Sequence, residues 1–397
     1  MKRLTLLLLG LVVGVSATAR AQGLTMQMSN GWSFQFAGNV NAFWVFTAQN
    51  NSGPKNSSVR TGLLPAFATF EARGKEAGLN LAVHFGFAPQ INNGSTHDAF
   101  GGGTGIQAGA QIDMRQVYLT VGSEKWGQIL AGRELALFSR QNILNDMTLF
   151  GVGAVGIGGG QAKGTTLGRI GYGYLYPNFE AQLTYSTKGG QPAQLSIGLF
   201  QPSVVIGNGS VAAPTYGFTT VPRVEAEFTY NQKSGTNKWL FWAGGTWQTT
   251  SNAPTGGTSI SSVGGTAGVR GEFSDLSVVV SAYIGKGLGT TLQFSGGEVG
   301  AVDPTKTRKS DGGYAQVTYK LAPKTTAGFS WGFSRLVHDQ TGDGNTAVAS
   351  NVYSYTLGIY HQWTKSLKLV FEGTEEGSTG AGRPKQTDIS GGFMLFF

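Results

Sequence analysis

The sequence contains no cysteine, only four histidines and a charged fraction of 13% over 397 residues. Without cysteine there is no disulfide scaffold, thiolate metal site, thiol nucleophile or lipid-modified N-terminal cysteine. His84, His97, His338 and His361 show no metal-binding spacing, so neither a metal nor another cofactor is expected. Ordinary soluble domains carry about 25% charged residues, which disfavours a soluble cytosolic chain. The charges are scattered, so no nucleic-acid footprint is expected, and the absence of a GxSxG elbow argues against a hydrolytic enzyme. What is abundant is glycine (63), phenylalanine (24) and tyrosine (13), an aromatic content too high for a disordered chain.

The N-terminus reads as an export signal. Lys2 and Arg3 precede an apolar run over 4–15, and Ala19-Arg20-Ala21 supplies the two small residues that a cleavage site needs ahead of a cut before Gln22. About 12 apolar residues are too few for a membrane-spanning helix, which needs roughly 20. The expected organisation is a cleaved signal peptide over 1–21 and a single domain over 22–397. Loss of Lys2, Arg3 and Arg20 leaves 26 basic against 21 acidic groups, a net charge of +5.

Period two dominates the rest. In 32–47 Trp32, Phe34, Phe36, Val40, Trp44 and Phe46 share one parity. In 222–231 Val224, Ala226, Phe228 and Tyr230 oppose Arg223, Glu225, Glu227 and Thr229. In 261–273 Val263, Ala267 and Val269 oppose Gly264, Thr266, Arg270 and Glu272. Such alternation makes a strand with one apolar face. Many segments run 10 to 13 residues, longer than the globular mode of about 5 or 6 and close to the roughly 9–11 tilted residues that cross a bilayer. Aromatics gather at segment ends, as interfacial girdles do.

Short connections are expected near 75–77, 123–125, 177–178, 232–234, 274–275, 322–323 and 364–365. Long Gly/Ser/Asn-rich stretches are expected near 48–63, 89–110, 135–166, 189–221, 251–260, 287–310, 336–350 and 377–386. Short turns alternating with long loops mark an outer-membrane barrel, and these connections imply sixteen antiparallel strands in an all-β transmembrane barrel. The segment 194–200 (QLSIGLF) is ambiguous: it extends the preceding strand or pairs with it above the membrane, and two additional spanning strands would make eighteen.

With these features the chain resembles the Gram-negative general (diffusion) porin family. The last strand carries Ile389, Phe393, Leu395 and the terminal Phe397 at alternate positions; in that family such an ending is the assembly signal, here Phe393, Leu395 and Phe397. The segment Asp113-Met114-Arg115-Gln116-Val117-Tyr118-Leu119 through Gly132-Arg133 is similar to the family's fourth and fifth strands. The resemblance implies an outer-membrane location in a Gram-negative bacterium and a homotrimer. Its implied partners are outer-membrane lipid and lipopolysaccharide, the barrel-assembly machinery and small hydrophilic solutes. It also implies a third loop, here 135–166, that folds into the barrel as a constriction, with a short helical turn possible over 135–149.

That loop carries Arg140 and Asp146, with Arg133 and Glu134 at its root. Alternation places Glu71 and Arg73 on one face of the second strand, His84 on the matching face of the next, and Arg169 opposite Tyr172, Tyr174 and Tyr176 on a later strand. Arg115 shares the parity of Val117 and Leu119, so alternation alone does not turn it inward; the resemblance places it in the lumen. An arginine face opposite a carboxylate-bearing loop sets a transverse field across an aqueous gap, although the same arginines could simply brace the wall through lumenal Glu or backbone carbonyls. The expected function is passive diffusion of small hydrophilic solutes and ions with a mild anion preference. The alternatives are a solute-specific channel or a plugged structural or adhesive barrel. Gly151-Val152-Gly153-Ala154-Val155-Gly156 matches GxGxxG but neither follows a Rossmann strand nor opens a helix. Asp339, Asp343 and Asn345 alternate oxygen ligands as a calcium loop does, but a polar turn is the favoured reading.

Overall fold

The computed structural model describes residues 23–29, 31–50, 53–91, 112–157, 164–206, 215–291, 293–294, 305–337, 351–379 and 385–397. The expected signal peptide and the residues Asp339, Asp343 and Asn345 lie outside them. Sixteen strands close a barrel. The first eight are β1 (Ser33–Gln49), β2 (Phe67–Glu76), β3 (Leu79–Pro89), β4 (Ile112–Ser123), β5 (Gly127–Leu135), β6 (Phe179–Ser186), β7 (Ala193–Phe200) and β8 (Arg223–Ser234). The second eight are β9 (Asn237–Ser251), β10 (Ser259–Phe273), β11 (Leu276–Lys286), β12 (Lys309–Ala322), β13 (Thr325–Leu336), β14 (Asn351–Gln362), β15 (Leu367–Thr379) and β16 (Gln386–Phe396). Each pairs antiparallel with the next, and β1 pairs with β16 from Asn39–Phe396 to Gln49–Gln386, which removes the free edges.

Two further strands belong to the sheet. Leu24–Gln27 pairs with the start of β1. Lys55–Arg60 pairs with the upper half of β1, and the chain then steps inward through 61–66 before resuming as β2. Asn41 of β1 satisfies the step: its Oδ1 accepts the Gly62 N–H and its Nδ2 donates to the Leu64 carbonyl, both at 2.9 Å. At the other end, Ala77 (φ 48°) and Gly78 (φ 80°) join β2 to β3 in two residues, the left-handed pair that suits a tight hairpin.

The faces are the reverse of a soluble sheet. Outward positions are large, apolar and exposed, as with Leu183, Phe228, Ile284, Leu357 and Phe371. Inward positions are Ser, Thr, Gln, Asn, Glu and Arg, many of them buried: Thr184, Glu225, Thr266, Ser330, Ser354, Glu372 and Asp388. Phe393 and Leu395 of the last strand point outward, and the Phe397 ring packs 5.1 Å from that of Phe36.

One hairpin differs from the sequence expectation. The residues 194–200 fall within the spanning strand β7, joined to β6 by a short turn over 187–192 and paired with β8 from Phe200–Arg223 to Ala193–Tyr230. Conversely, 164–178 form no strand of the barrel, and Pro177-Asn178 is not a short turn between strands. One expected strand is lost and one gained, so the count of sixteen stands. Left-handed glycines explain the loss: Gly168 (φ 58°) and Gly171 (φ 77°) bend the backbone where alternating tyrosines suggested an extended run. Inside β5, Gly132 has φ 135° and a Cβ there would lie 2.2 Å from the Val117 carbonyl oxygen. Gly132→Ala is therefore expected to cost about 1–3 kcal/mol, read as a lowered urea midpoint.

Candidate functional site: the lumen and its inward loop

The connection from β5 to β6 runs over 136–178, twelve residues further than the expected end at 166. It turns into the barrel as a short α-helix, α1 (Arg140–Leu144), and a 3₁₀ turn (Met147–Phe150). Most of its described residues are buried. Each anchor joins a loop polar group to an inward polar group of the wall, and together they follow the wall from β8 to β15.

The Phe138 N–H donates to Glu225 at 2.8 Å, and Arg140 donates to both Glu227 oxygens at 2.5 and 3.2 Å. Asn142 is gripped from four strands. Its Nδ2 donates to Thr266, its Oδ1 accepts from Trp242 and Ser281, and its carbonyl accepts from Tyr314, all within 2.9 Å. Gln316 accepts the Met147 N–H and donates to the Asn145 carbonyl. Arg169 is fully buried; its guanidinium donates to the hydroxyl and carbonyl of Ser330 and of Ser354 at 2.5–2.8 Å. Glu372 accepts the N–H groups of Val152 and Gly153 at 2.7 Å, and Glu376 those of Val155 and Gly156.

Asp146 ties the two limbs of the loop to each other. It accepts from the Thr148 N–H and hydroxyl, the Tyr174 hydroxyl and the Arg169 N–H. Burial raises its carboxyl above the ordinary aspartate range, and the nearby Arg169 charge pulls it back. Burial also holds the Tyr172 and Tyr174 phenols well above the usual value, helped by Glu376 and Asp146 respectively. Both phenols therefore remain donors at neutral pH.

The wall formed by β2 to β5 carries a separate polar row. Arg73 is ion-paired with Glu71. Glu71 also meets His84 Nδ1 at 3.1 Å, His84 Nε2 lies 3.4 Å from Gln116, and Gln116 donates to Glu134 at 2.7 Å. The His84 ring stacks on Tyr118 at 4.8 Å. Arg73 keeps 38% of its side chain exposed against 13% for Glu71, so the water-facing charge of that pair is the positive one.

Glu71, Arg73, His84 and Glu134 thus come together on one stretch of the inner wall. Arg115 reaches the lumen through a β-bulge. Gly86 pairs with Gln116 and Phe87 with Met114, leaving Arg115 as the extra residue. It bonds Asp113 at 3.0 Å and the Tyr176 hydroxyl of the loop at 3.3 Å. Arg133 departs from its expected inward placement: it is in register with Val117 and Ala181, opposite in parity to Glu134, and is exposed on the outer face. Arg140, Asp146 and Arg169 are spent on anchoring contacts and do not form a charged face toward open water, and Arg169 stands on the loop where a strand was expected. Glu376, Ser330, Ser354 and Asn142 were not singled out in the sequence. Glu376 was accessible in principle, since it shares the parity of Glu372.

An antiparallel barrel with apolar exterior, polar interior and an inward third loop defines a membrane channel architecture. The chain belongs to the Gram-negative porin family, whose model matches residues 6–381. No curated protein matches it. Among solved structures it is similar to the outer-membrane channel DcaP of Acinetobacter baumannii, at 13% identity and TM-score 0.69, covering 94% of this chain and 99% of that one. It is also similar to an anion-selective porin from Comamonas acidovorans, at 12% identity and TM-score 0.62, covering 92% and 100%. A third is the trimer form of OmpT, an outer-membrane protein of Vibrio cholerae, at 13% identity and TM-score 0.52, covering 92% and 100%. The protein is an outer-membrane β-barrel channel of a Gram-negative bacterium.

Proposed function

We propose that the barrel is a passive-diffusion porin for small hydrophilic solutes and ions, without catalytic activity, narrowed by the loop over 136–178 and mildly selective for anions. The observation that carries this reading is the asymmetry of the lumen. Among the described residues of the loop, Arg140 and Arg169 are bound by the wall and Asp146 by the loop itself, while on β2 the partly exposed Arg73 faces water. In a narrow, low-dielectric passage an ion pair that turns its cation toward the water and its carboxylate toward the wall biases the potential over the cross-section. The mild anion preference fits the net positive charge and rests on this chain's residues, since similarity at 12–13% identity reaches the fold alone. A homotrimer is part of the proposal, supported by family membership and the trimer form recorded for the Vibrio neighbour. Cleavage before Gln22 completes it.

Single-channel recording in a planar bilayer under a salt gradient tests the reading. Large steps closing in thirds, with a reversal potential on the anion side, are expected. Inserted, heat-modifiable protein that gives no steps would favour a plugged structural barrel, and saturable block by one solute would favour a specific channel. Arg73→Glu should move the reversal potential toward cation selectivity at 0.1 M salt. The shift should shrink at 1 M, where the screening length falls from about 10 Å to 3 Å. An unchanged reversal potential at low salt would remove Arg73 from the selectivity reading.

A further inference from the structure

His84 on β3 stands between two acceptors. Its Nδ1 meets Glu71 Oε2 on β2 at 3.1 Å, and its Nε2 meets Gln116 Oε1 on β4 at 3.4 Å. A neutral imidazole has one N–H and can donate at only one of these positions; the imidazolium alone makes both bonds. The direction of the Gln116 amide therefore decides which form fits, and Glu134 on β5 fixes that direction. Gln116 Nε2 donates to Glu134 Oε2 at 2.7 Å, while the other oxygen of Glu134 accepts the Leu135 N–H at 2.8 Å. Turning the amide over would set its oxygen against a carboxylate. Gly86 leaves the space the amide occupies, since a Cβ there would collide with Gln116 Oε1.

The charges around the ring come from each neighbouring element. On β2 Glu71 divides its two oxygens between Arg73 and His84. On β4 the Tyr118 ring stacks on the imidazole. Glu134 is the carboxylate of β5, and Arg140 of the inward loop acts on it through space but is bonded to Glu227. With both acids ionised, Arg73 and an imidazolium balance Glu71 and Glu134. With a neutral imidazole the row carries a net negative charge, although Arg73 is still the member turned to the water.

We propose that His84 sets the ion preference of the passage. As an imidazolium it offsets the carboxylates of the wall and leaves the exposed Arg73 to favour anions; on losing its proton it shifts that preference toward cations. The inference rests on the reading of the barrel as an open, mildly anion-selective pore, and it makes that selectivity a function of pH. Imidazole is the only side chain whose ordinary titration falls between about pH 5 and 8.

Reversal potentials of single channels are measured at low salt, where screening is weak, from about pH 5 to about pH 9. The parent is compared with H84N and with H97Q/H338Q/H361Q, in which His84 is the only histidine left. In the parent and in H97Q/H338Q/H361Q the anion-to-cation permeability ratio should fall about twofold or more as pH rises, the effect of one elementary charge on an ion about 8 Å away in water. H84N should stay near the parent's alkaline value throughout. Nitrogen-15 resonances of the single imidazole in H97Q/H338Q/H361Q, in detergent micelles, read the ring itself: both nitrogens should be protonated at the acid end, and one should lose its proton over the same range. Heat modifiability, identical in all variants, controls for folding. Conducting channels whose permeability ratio ignores pH, or an H84N channel that titrates as the parent does, would overturn the inference and leave the pore standing. An imidazole that stays neutral throughout overturns it whether or not the barrel conducts. Inserted protein that gives no steps defeats the pore reading, and the inference with it.

Discussion

Replacing Glu372 and Glu376 together by alanine is expected to widen the channel while leaving the barrel intact. Glu372 holds the Val152 and Gly153 N–H groups and the Tyr360 hydroxyl. Glu376 holds those of Val155 and Gly156 and the Tyr172 hydroxyl. Hydrogen bonds to charged groups contribute about 1.5–3 kcal/mol each, and the backbone donors would be left buried without acceptors. The least disruptive relief is for the limb over 151–156 to leave the wall and take its bonds from water. The strand ladders of β15 with β14 and β16 do not involve these side chains, so the protein should still fold and insert. Single-channel conductance should rise roughly twofold or more if this loop sets the narrowest, most resistive section, and liposome swelling should admit sugars that the parent excludes. E372Q/E376Q keeps one accepting oxygen per side chain and should fall between. Unchanged conductance in the alanine variant would mean that the loop does not set the constriction.

Leu357→Arg should be among the most destabilising single changes on the exterior. Leu357 lies in the middle of β14, 65% exposed, with Phe329 and Gly373 as its cross-strand partners. Arginine on the lipid face costs about 2–4 kcal/mol at the bilayer midplane and about 0–1 near the interfaces. Tyr319→Arg, three residues from the short-turn end of β12, should therefore cost much less. Urea unfolding from lipid vesicles measures both. Equal costs would contradict the depth assigned to these two positions.

The exterior was legible because lipid demands one residue type at every second position, and the tally of sixteen survived for the same reason. The loop was harder to read. Tyr172, Tyr174 and Tyr176 alternate as strand residues do, yet each hydroxyl bonds a different partner, Glu376, Asp146 and Arg115. Alternation reports spacing, and it cannot see that Gly168 and Gly171 bend the chain just ahead of those tyrosines. Residues 194–200, strand-like but set in a Gly- and Ser-rich stretch, left open whether they extend the preceding strand or pair with it above the membrane; they form the spanning strand β7. Parity also fails at a bulge, which is why Arg115 reads as outward from sequence and is inward in the fold. Arg133, expected at the pore beside Glu134, has the opposite parity and faces outward. Which wall groups bind Arg140 and Arg169 depends on contacts up to 185 positions apart along the chain, which no local pattern reveals.

The long reach of these anchors sets the order in which the pore is made. Val152 meets Glu372 across 220 residues, and Arg140 meets Glu227 across 87. Hairpins joined by two-residue turns close early, whereas such distant contacts must wait until the intervening chain is in place. Glu372 is not on a finished wall until β15 has paired and β16 has closed onto β1. The loop can therefore dock fully only on a completed cylinder, and its docking comes after barrel closure.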